Sequence, residues 1–145
     1  MMSNSVKIVM IEDDHGHARL IEKNIRRANI SNDIIHFDHG ETGLAYLMGE
    51  EVRDKASILI LLDLNLPDMS GVDILQKVKN DEILRRAPVV ILTTTDDRTE
   101  IQHCYDLGCN VYITKPVDYD AFAQAIRQLG LFLSVIQAPI ISAES

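Results

Sequence analysis

Ser57-Ile58-Leu59-Ile60-Leu61-Leu62 runs straight into Asp63-Leu64-Asn65-Leu66-Pro67, and this junction decides the fold. A short, unbroken apolar run that stops at an acid is the pattern of a strand buried on both faces of a parallel sheet, since helices cover such a sheet above and below. Pro67 and Gly71 punctuate the following loop, and Val72, Ile74, Leu75 and Val78 then recur at helical spacing as the inner face of a helix. Strand leads to helix across a loop that opens with an aspartate.

The alternation extends in both directions. Toward the N-terminus, Val6 to Ile11 is an apolar strand ending in Glu12-Asp13-Asp14. An amphipathic helix follows, with Ala18, Leu20, Ile21, Ile25 and Ala28 set among Arg19, Glu22, Lys23, Arg26 and Arg27. Asp33 to Phe37 reads as the second strand and, after a Gly40-Glu41 opening, Thr42 to Met48 as the second helix. Toward the C-terminus, Pro88 to Leu92 is the fourth strand, and Asp96-Asp97 cap a helix through Leu107 that ends at Gly108. Val111 to Thr114 is the fifth strand, closed by Lys115-Pro116, and Asp120 to about Ile136 is the last helix. Five strands alternating with five helices predict an α/β fold, an open, doubly wound parallel sheet with right-handed crossovers.

No repeat, low-complexity tract or interdomain linker interrupts the pattern. A single domain is expected over 1–145, with its core at about 6–130, a C-terminal helix extension at about 131–145 and no output domain. At 145 residues such a domain buries roughly 68–70% of the surface of its unfolded chain, enough for a real core. The formal charge is 14 − 22 = −8, and the basic residues are scattered apart from Arg26-Arg27 and Arg85-Arg86. No basic stripe tracks a phosphate backbone, which argues against direct nucleic-acid binding. Cys104 and Cys109 match neither a metal knuckle nor a C-x-x-C redox pair and read as reduced thiols. The opening residues lack a secretory apolar stretch, and Gln137 and Pro139 interrupt the C-terminal apolar run well short of membrane-spanning length. A cytoplasmic protein with no membrane association is expected.

In open α/β sheets the site lies outside the carboxyl ends of the strands, near the point where strand order switches. Just past those ends stand Glu12-Asp13-Asp14, Asp63-Leu64-Asn65, Thr93-Thr94 and Lys115-Pro116. Carboxylates gathered this closely repel one another unless a cation compensates or a proton is retained. Hard oxygen donors without His or Cys point to Mg²⁺. A carboxylate beside Mg²⁺ is equipped to attack a phosphoryl group, because the metal screens the repulsion between anions. Asp63 is the expected nucleophile, since it follows the most apolar strand and lies centrally, while Glu12 and Asp13 are placed to hold the metal. Lys115 is expected to hydrogen-bond the acceptor carboxylate and then a phosphoryl oxygen, and Thr93 to offer its hydroxyl to a second oxygen. Asp14 reads as a cap of the first helix, and the His15-Gly16-His17 spacing is assigned no metal.

Four motifs, in order, carry a family resemblance: Ile11-Glu12-Asp13-Asp14, the run from Leu62 to Gly71, Leu92-Thr93-Thr94 and Tyr112-Ile113-Thr114-Lys115-Pro116. Over about residues 6 to 130 the chain resembles the receiver domains of two-component signalling, including the single-domain chemotaxis response regulators. The resemblance implies a flavodoxin-like receiver fold of strand order 2-1-3-4-5, acting as a phosphoacceptor with self-catalysed transfer and autodephosphorylation rather than as an enzyme. It further implies phosphorylation of Asp63 from a histidine kinase phosphohistidine, with Mg²⁺ held by Asp13, Asp63 and the backbone carbonyl of Asn65, and by Glu12 through water. Thr93 and Tyr112 would form a switch pair that remodels the face of the fourth helix, fifth strand and fifth helix. Asn65 and Thr95 match positions that tune loss of the phosphoryl group. Glu12 departs from the aspartate that many receivers carry there. Softer cues, among them Ala18 to Glu22 and Leu61 to Pro67, are similar to free-standing receivers that partner bacterial phytochrome histidine kinases. A histidine phosphotransfer protein is the other partner of this class.

Two rival chemistries fit less well. Aspartyl-phosphate enzymes of the haloacid dehalogenase type carry a second acid two residues on, where this chain has Asn65. A flavodoxin-like nucleotide carrier needs a phosphate-cradling loop after the first strand, where this chain has three acids. A degenerate receiver that docks without phosphorylation is countered by the presence of every expected site residue. In the last helix Phe122, Ile126, Leu129, Phe132 or Leu133, and Ile136 form a core stripe, while Leu131, Val135, Ile140 and Ile141 leave apolar surface over. A homodimer through the last helix and its extension is expected, with a tail folded onto its own domain as the alternative.

Overall fold

The computed structural model describes residues 6–55 and 57–129. Five strands, β1 (Lys7–Ile11), β2 (Ile34–Phe37), β3 (Ile58–Leu62), β4 (Val89–Thr93) and β5 (Val111–Thr114), form one sheet of order β2-β1-β3-β4-β5. Every pairing is parallel. The helices are α1 (His15–Arg27), α2 (Gly40–Leu47), α3 (Glu50–Lys55), α4 (Gly71–Asn80), α5 (Arg98–Leu107) and α6 over 119–129, with a 3₁₀ turn at Leu84–Arg86. The expected course of the last helix to Ile136 and the extension over 131–145 lie outside the described residues.

Alternation along the strands divides the core into two layers, because successive side chains leave a strand on opposite faces. Val9, Ile11, Ile58, Ile60, Leu62, Val89 and Ile91 face α2 to α5, meeting Leu47, Val52, Ile74, Leu75, Val78 and Cys104. Ile8, Met10, Leu59, Leu61, Val90 and Leu92 face α1 and α6, meeting Ala18, Ile21, Ile25, Phe122 and Ile126. Both central strands β3 and β4 are buried throughout, so neither shows a polar-apolar alternation in sequence. Phe122 is fully buried and by itself contributes roughly 1.5–3 kcal/mol.

Helix ends follow the chemistry of their residues. Asp14, Ser70 and Asp97 cap α1, α4 and α5 through side-chain oxygens that accept the N–H groups of His17, Val72 and Glu100. Gly108 ends α5 at φ +112°, a conformation that a Cβ disfavours. Cys104 and Cys109 are free and buried, and burial pushes their thiols up to about 11 and about 12, which keeps them protonated and unreactive.

The five-helix reading needs one correction. Glu50–Lys55 carries a single apolar anchor, Val52, and therefore no periodic stripe, yet it is the short helix α3. Val52 is buried in the core, and Glu51 accepts hydrogen bonds from Lys7 Nζ and the Tyr46 hydroxyl, each at 3.0 Å. Tertiary contacts supply what local pattern lacks. The fourth and fifth helices of the sequence reading are thus α5 and α6.

Register sets the height at which the strands finish. Ile11 pairs with Leu62, Leu62 with Ile91 and Thr93 with Thr114, so the residues after four strands emerge along one edge. That edge contains the switch point, where the chain passes from the β1–β2 side of the sheet to β3.

Candidate functional site

Asp63 leaves β3 with its N–H donating to the Ile11 carbonyl at 3.0 Å, which continues the sheet by one rung and brings it beside Glu12. Its carboxylate is buried. One oxygen accepts the Asn65 N–H at 3.1 Å and the other accepts Lys115 Nζ at 3.2 Å. Lys115 reaches it from the end of β5, its side chain only 7% exposed, after the Lys115 N–H has donated to the Thr93 carbonyl at 2.8 Å. The Lys115–Pro116 bond is cis.

Glu12 is also buried, and its backbone is fastened on both sides: its N–H donates to the Phe37 carbonyl at 2.9 Å, and its own carbonyl accepts from His36 Nε2 at 2.7 Å. Its carboxylate accepts Lys115 Nζ at 2.5 Å and the Asp14 N–H at 3.1 Å. Burial is the larger influence on its proton. It raises Glu12 to about 7 against the lowering pull of Lys115, and the nearby Asp63 raises it further. Asp13, next along, is exposed.

Glu12, Asp13 and Asp63 each offer a carboxylate oxygen within 4.8 Å of the others. Three hard anionic oxygens this close, with one lysine between two of them, suit a divalent cation of the oxygen-preferring kind. The sequence expectation that these acids converge is met.

Thr93 closes the far side. It is fully buried, and its hydroxyl accepts from Asn65 Nδ2 at 3.2 Å, so Asn65 bridges from the acid-bearing loop to the end of β4. Tyr112 is half-buried against the α5 side of the core, and its hydroxyl donates to the Thr95 carbonyl at 2.8 Å. Burial pushes its phenol up to about 12. Thr93, Thr95 and Tyr112 are thus joined through one strand end, whereas Thr94 is exposed. The other anticipated residue, Asp14, is the α1 cap.

Contacts of Asp68, His36, His17 and His15 had no sequence signal. Asp68 accepts the N–H groups of Gly40 and Glu41, both at 2.8 Å, so the loop after β3 caps α2 from a distance while His39, the adjoining residue, makes no side-chain cap. Those bonds, the Glu41 N–H foremost, hold the Asp68 carboxyl below the usual range. His36 holds the Glu12 carbonyl, as above. His17 Nδ1 accepts from Lys115 Nζ at 3.1 Å, while His15 turns to Asp38 at 3.1 Å. The two rings of the His15-Gly16-His17 spacing therefore go to different partners. Asp38, between His15 and His39, is lowered to about 2, chiefly by the His39 hydrogen bond.

Residues 8–127 match the model of the response regulator receiver domain family. Response regulator Rcp1 of Synechocystis sp. is 34% identical over 116 residues, 78% of this chain and 79% of that protein. The crystal structure of a response regulator receiver domain from Rhodospirillum rubrum is 65% identical, with a TM-score of 0.76, over 90% of this chain and 94% of that one. The Mn²⁺-bound form of Rcp1 has a TM-score of 0.69 at 29% identity, covering 92% of each chain. The phosphorylated cyanobacterial phytochrome response regulator RcpA superposes with a TM-score of 0.70 at 33% identity, over 92% of this chain and 91% of that one.

Proposed function

The chain belongs to the response regulator receiver domain family, and on that premise we propose that Asp63 is its phosphoacceptor, charged from the phosphohistidine of a sensor histidine kinase or a histidine phosphotransfer protein. One observation carries the reading: the buried Asp63 carboxylate meets the Lys115 ammonium at 3.2 Å inside a cluster whose other acids, Glu12 and Asp13, suit a divalent cation.

Mg²⁺ is the proposed cation, held by Asp13, Asp63 and the Asn65 carbonyl, with Glu12 acting through water; likeness to Rcp1, which has an Mn²⁺-bound form, supports a divalent ion here. When bound it screens the charge of the incoming phosphoryl group. Asp63 attacks through its carboxylate as the P–N bond of the phosphohistidine breaks and the imidazole leaves, with the Asn65 N–H holding Oδ1 and Lys115 holding Oδ2. Asn65 occupies the position where a phosphatase of the rival aspartyl class needs its acid, which supports a lasting phosphoprotein over rapid turnover. Asn65 and Thr95 are proposed to tune its loss.

Thr93 is the proposed sensor. Its hydroxyl exchanges the Asn65 amide for a phosphoryl oxygen, and Tyr112, tied to the Thr95 carbonyl, carries the change to the face of α5, β5 and α6. That surface transmits the signal. Likeness to RcpA supports a phytochrome-type kinase as the partner. A receiver domain over the matched residues 8–127, acting in the cytoplasm, is the proposed organisation; among the described residues no helix is long and apolar enough to cross a membrane. The proposed homodimer through the last helix and extension rests on residues beyond those described.

The test is intact mass with and without acetyl phosphate and Mg²⁺, on wild type and Asp63→Asn. A Mg²⁺-dependent gain of one phosphoryl group in wild type alone is expected. Equal labelling of Asp63→Asn would overturn the nucleophile.

A further inference from the structure

We propose that His17 is a positioning residue for phosphoryl transfer, its Nδ1 serving as the third acceptor that holds the Lys115 ammonium beside Asp63. The inference rests on the reading of Asp63 as phosphoacceptor.

An ammonium has three donors and no acceptor, and its four-carbon stem leaves the head free to swing. Here Glu12 Oε1 at 2.5 Å, Asp63 Oδ2 at 3.2 Å and His17 Nδ1 at 3.1 Å use all three donors. The acceptors come from the ends of β1 and β3 and from the first turn of α1, so they fix the head by triangulation. Glu12 makes the shorter contact. With His17 gone, the head is drawn toward Glu12 and away from Asp63. With it present, the donor that must receive the developing charge is aimed at Asp63 before the phosphoryl group arrives.

His17 donates its backbone N–H to Asp14 at 2.9 Å, which fixes the first turn of α1 that carries the ring, and its side chain is 45% exposed, at the mouth of the site. Because Lys115 can only donate, Nδ1 presents its lone pair and the proton sits on Nε2.

The experiment uses the full chain, with initial rates of labelling by acetyl phosphate and Mg²⁺ read by intact mass. His17→Leu removes the acceptor, and His17→Asn restores an oxygen where Nδ1 stood. Loss of one charge-assisted bond should lower the maximal labelling rate about three- to tenfold in His17→Leu, with the half-saturating acetyl phosphate and Mg²⁺ unchanged. His17→Asn should recover most of the rate, and His17→Leu should cost nothing further in a Lys115→Ala background. A wild-type rate in His17→Leu, no recovery in His17→Asn, or a further loss without Lys115 would each overturn the assignment. An unlabelled wild type would instead bring down the phosphoacceptor reading and this inference with it.

Discussion

Gly71 passes so close to Asp63 that a methyl group on its Cα would stand 2.3 Å from the Asp63 carbonyl oxygen and 2.6 Å from the Leu64 Cα. The Gly71 N–H donates to the Leu64 carbonyl at 2.9 Å, and Asn65 and Ser70 bridge across the same loop. The glycine is what lets α4 begin against the backbone that presents Asp63. Since the obstruction is main chain, it cannot turn aside as a side chain would. Gly71→Ala should cost about 1–3 kcal/mol in urea unfolding and lower the rate of labelling by acetyl phosphate. Wild-type stability would show that the loop relocates freely.

Lys115 stands between two buried carboxylates. Lys115→Ala removes the cation that aligns Asp63 and should slow labelling by about tenfold or more while leaving some. Amide hydrogen exchange across α5, β5 and α6 should then no longer respond to phosphorylation. A full surface response in the labelled variant would assign the coupling elsewhere.

Glu12 binds its proton more tightly in the folded protein, near 7, than at its ordinary 4.5. Its contribution to stability is therefore complete below about 4.5 and is lost as pH rises through about 7. Between pH of about 4.5 and about 7, wild type should lose stability relative to Glu12→Gln, which has no proton to release. Parallel pH profiles for the two proteins in urea unfolding would contradict this.

The Tyr112 hydroxyl donates to Thr95 in a half-buried setting. Tyr112→Phe should lower stability by about 1 kcal/mol, and labelling of Asp63 should persist because the phenol touches none of the acids. Loss of labelling in a folded variant would place Tyr112 inside the transfer step.

Asp68 supplies both acceptors for the first turn of α2. Asp68→Ala should lower Tm by a few degrees at neutral pH. The Asp68 carboxyl is held below its ordinary value, so its contribution is present above about 3.8 and is lost as pH falls through the depressed value. The wild-type and variant melting curves should converge in acid, and a gap that widens there would refute the cap.

Much of the architecture was legible because two periodicities are written locally. The unbroken runs Ile58–Leu62 and Val89–Thr93 belong to strands with no solvent face, and Ala18, Ile21 and Ile25 mark one side of α1. Asp14 and Asp97 were readable as caps because a cap acts within its own turn. Glu50–Lys55 was not legible, since its helix depends on Val52 finding the core and on Glu51 finding Lys7 and Tyr46, neither of which is visible in six polar-looking residues.

The site divides along the same line. By itself the sequence determined which residues follow each strand, and in a parallel sheet that already places Glu12, Asp63, Thr93 and Lys115 on one edge, because side-by-side strands of one direction end together. Only the tertiary structure decided who touches whom: that Lys115 spans to Glu12, Asp63 and His17 together, that Asn65 reaches Thr93 with its amide, and that Asp68 caps a helix 28 residues upstream. Strand ends are set by patterns a few residues long, whereas these bonds join residues up to 103 positions apart. Their partners are selected by register and packing, which no local stretch of chain encodes.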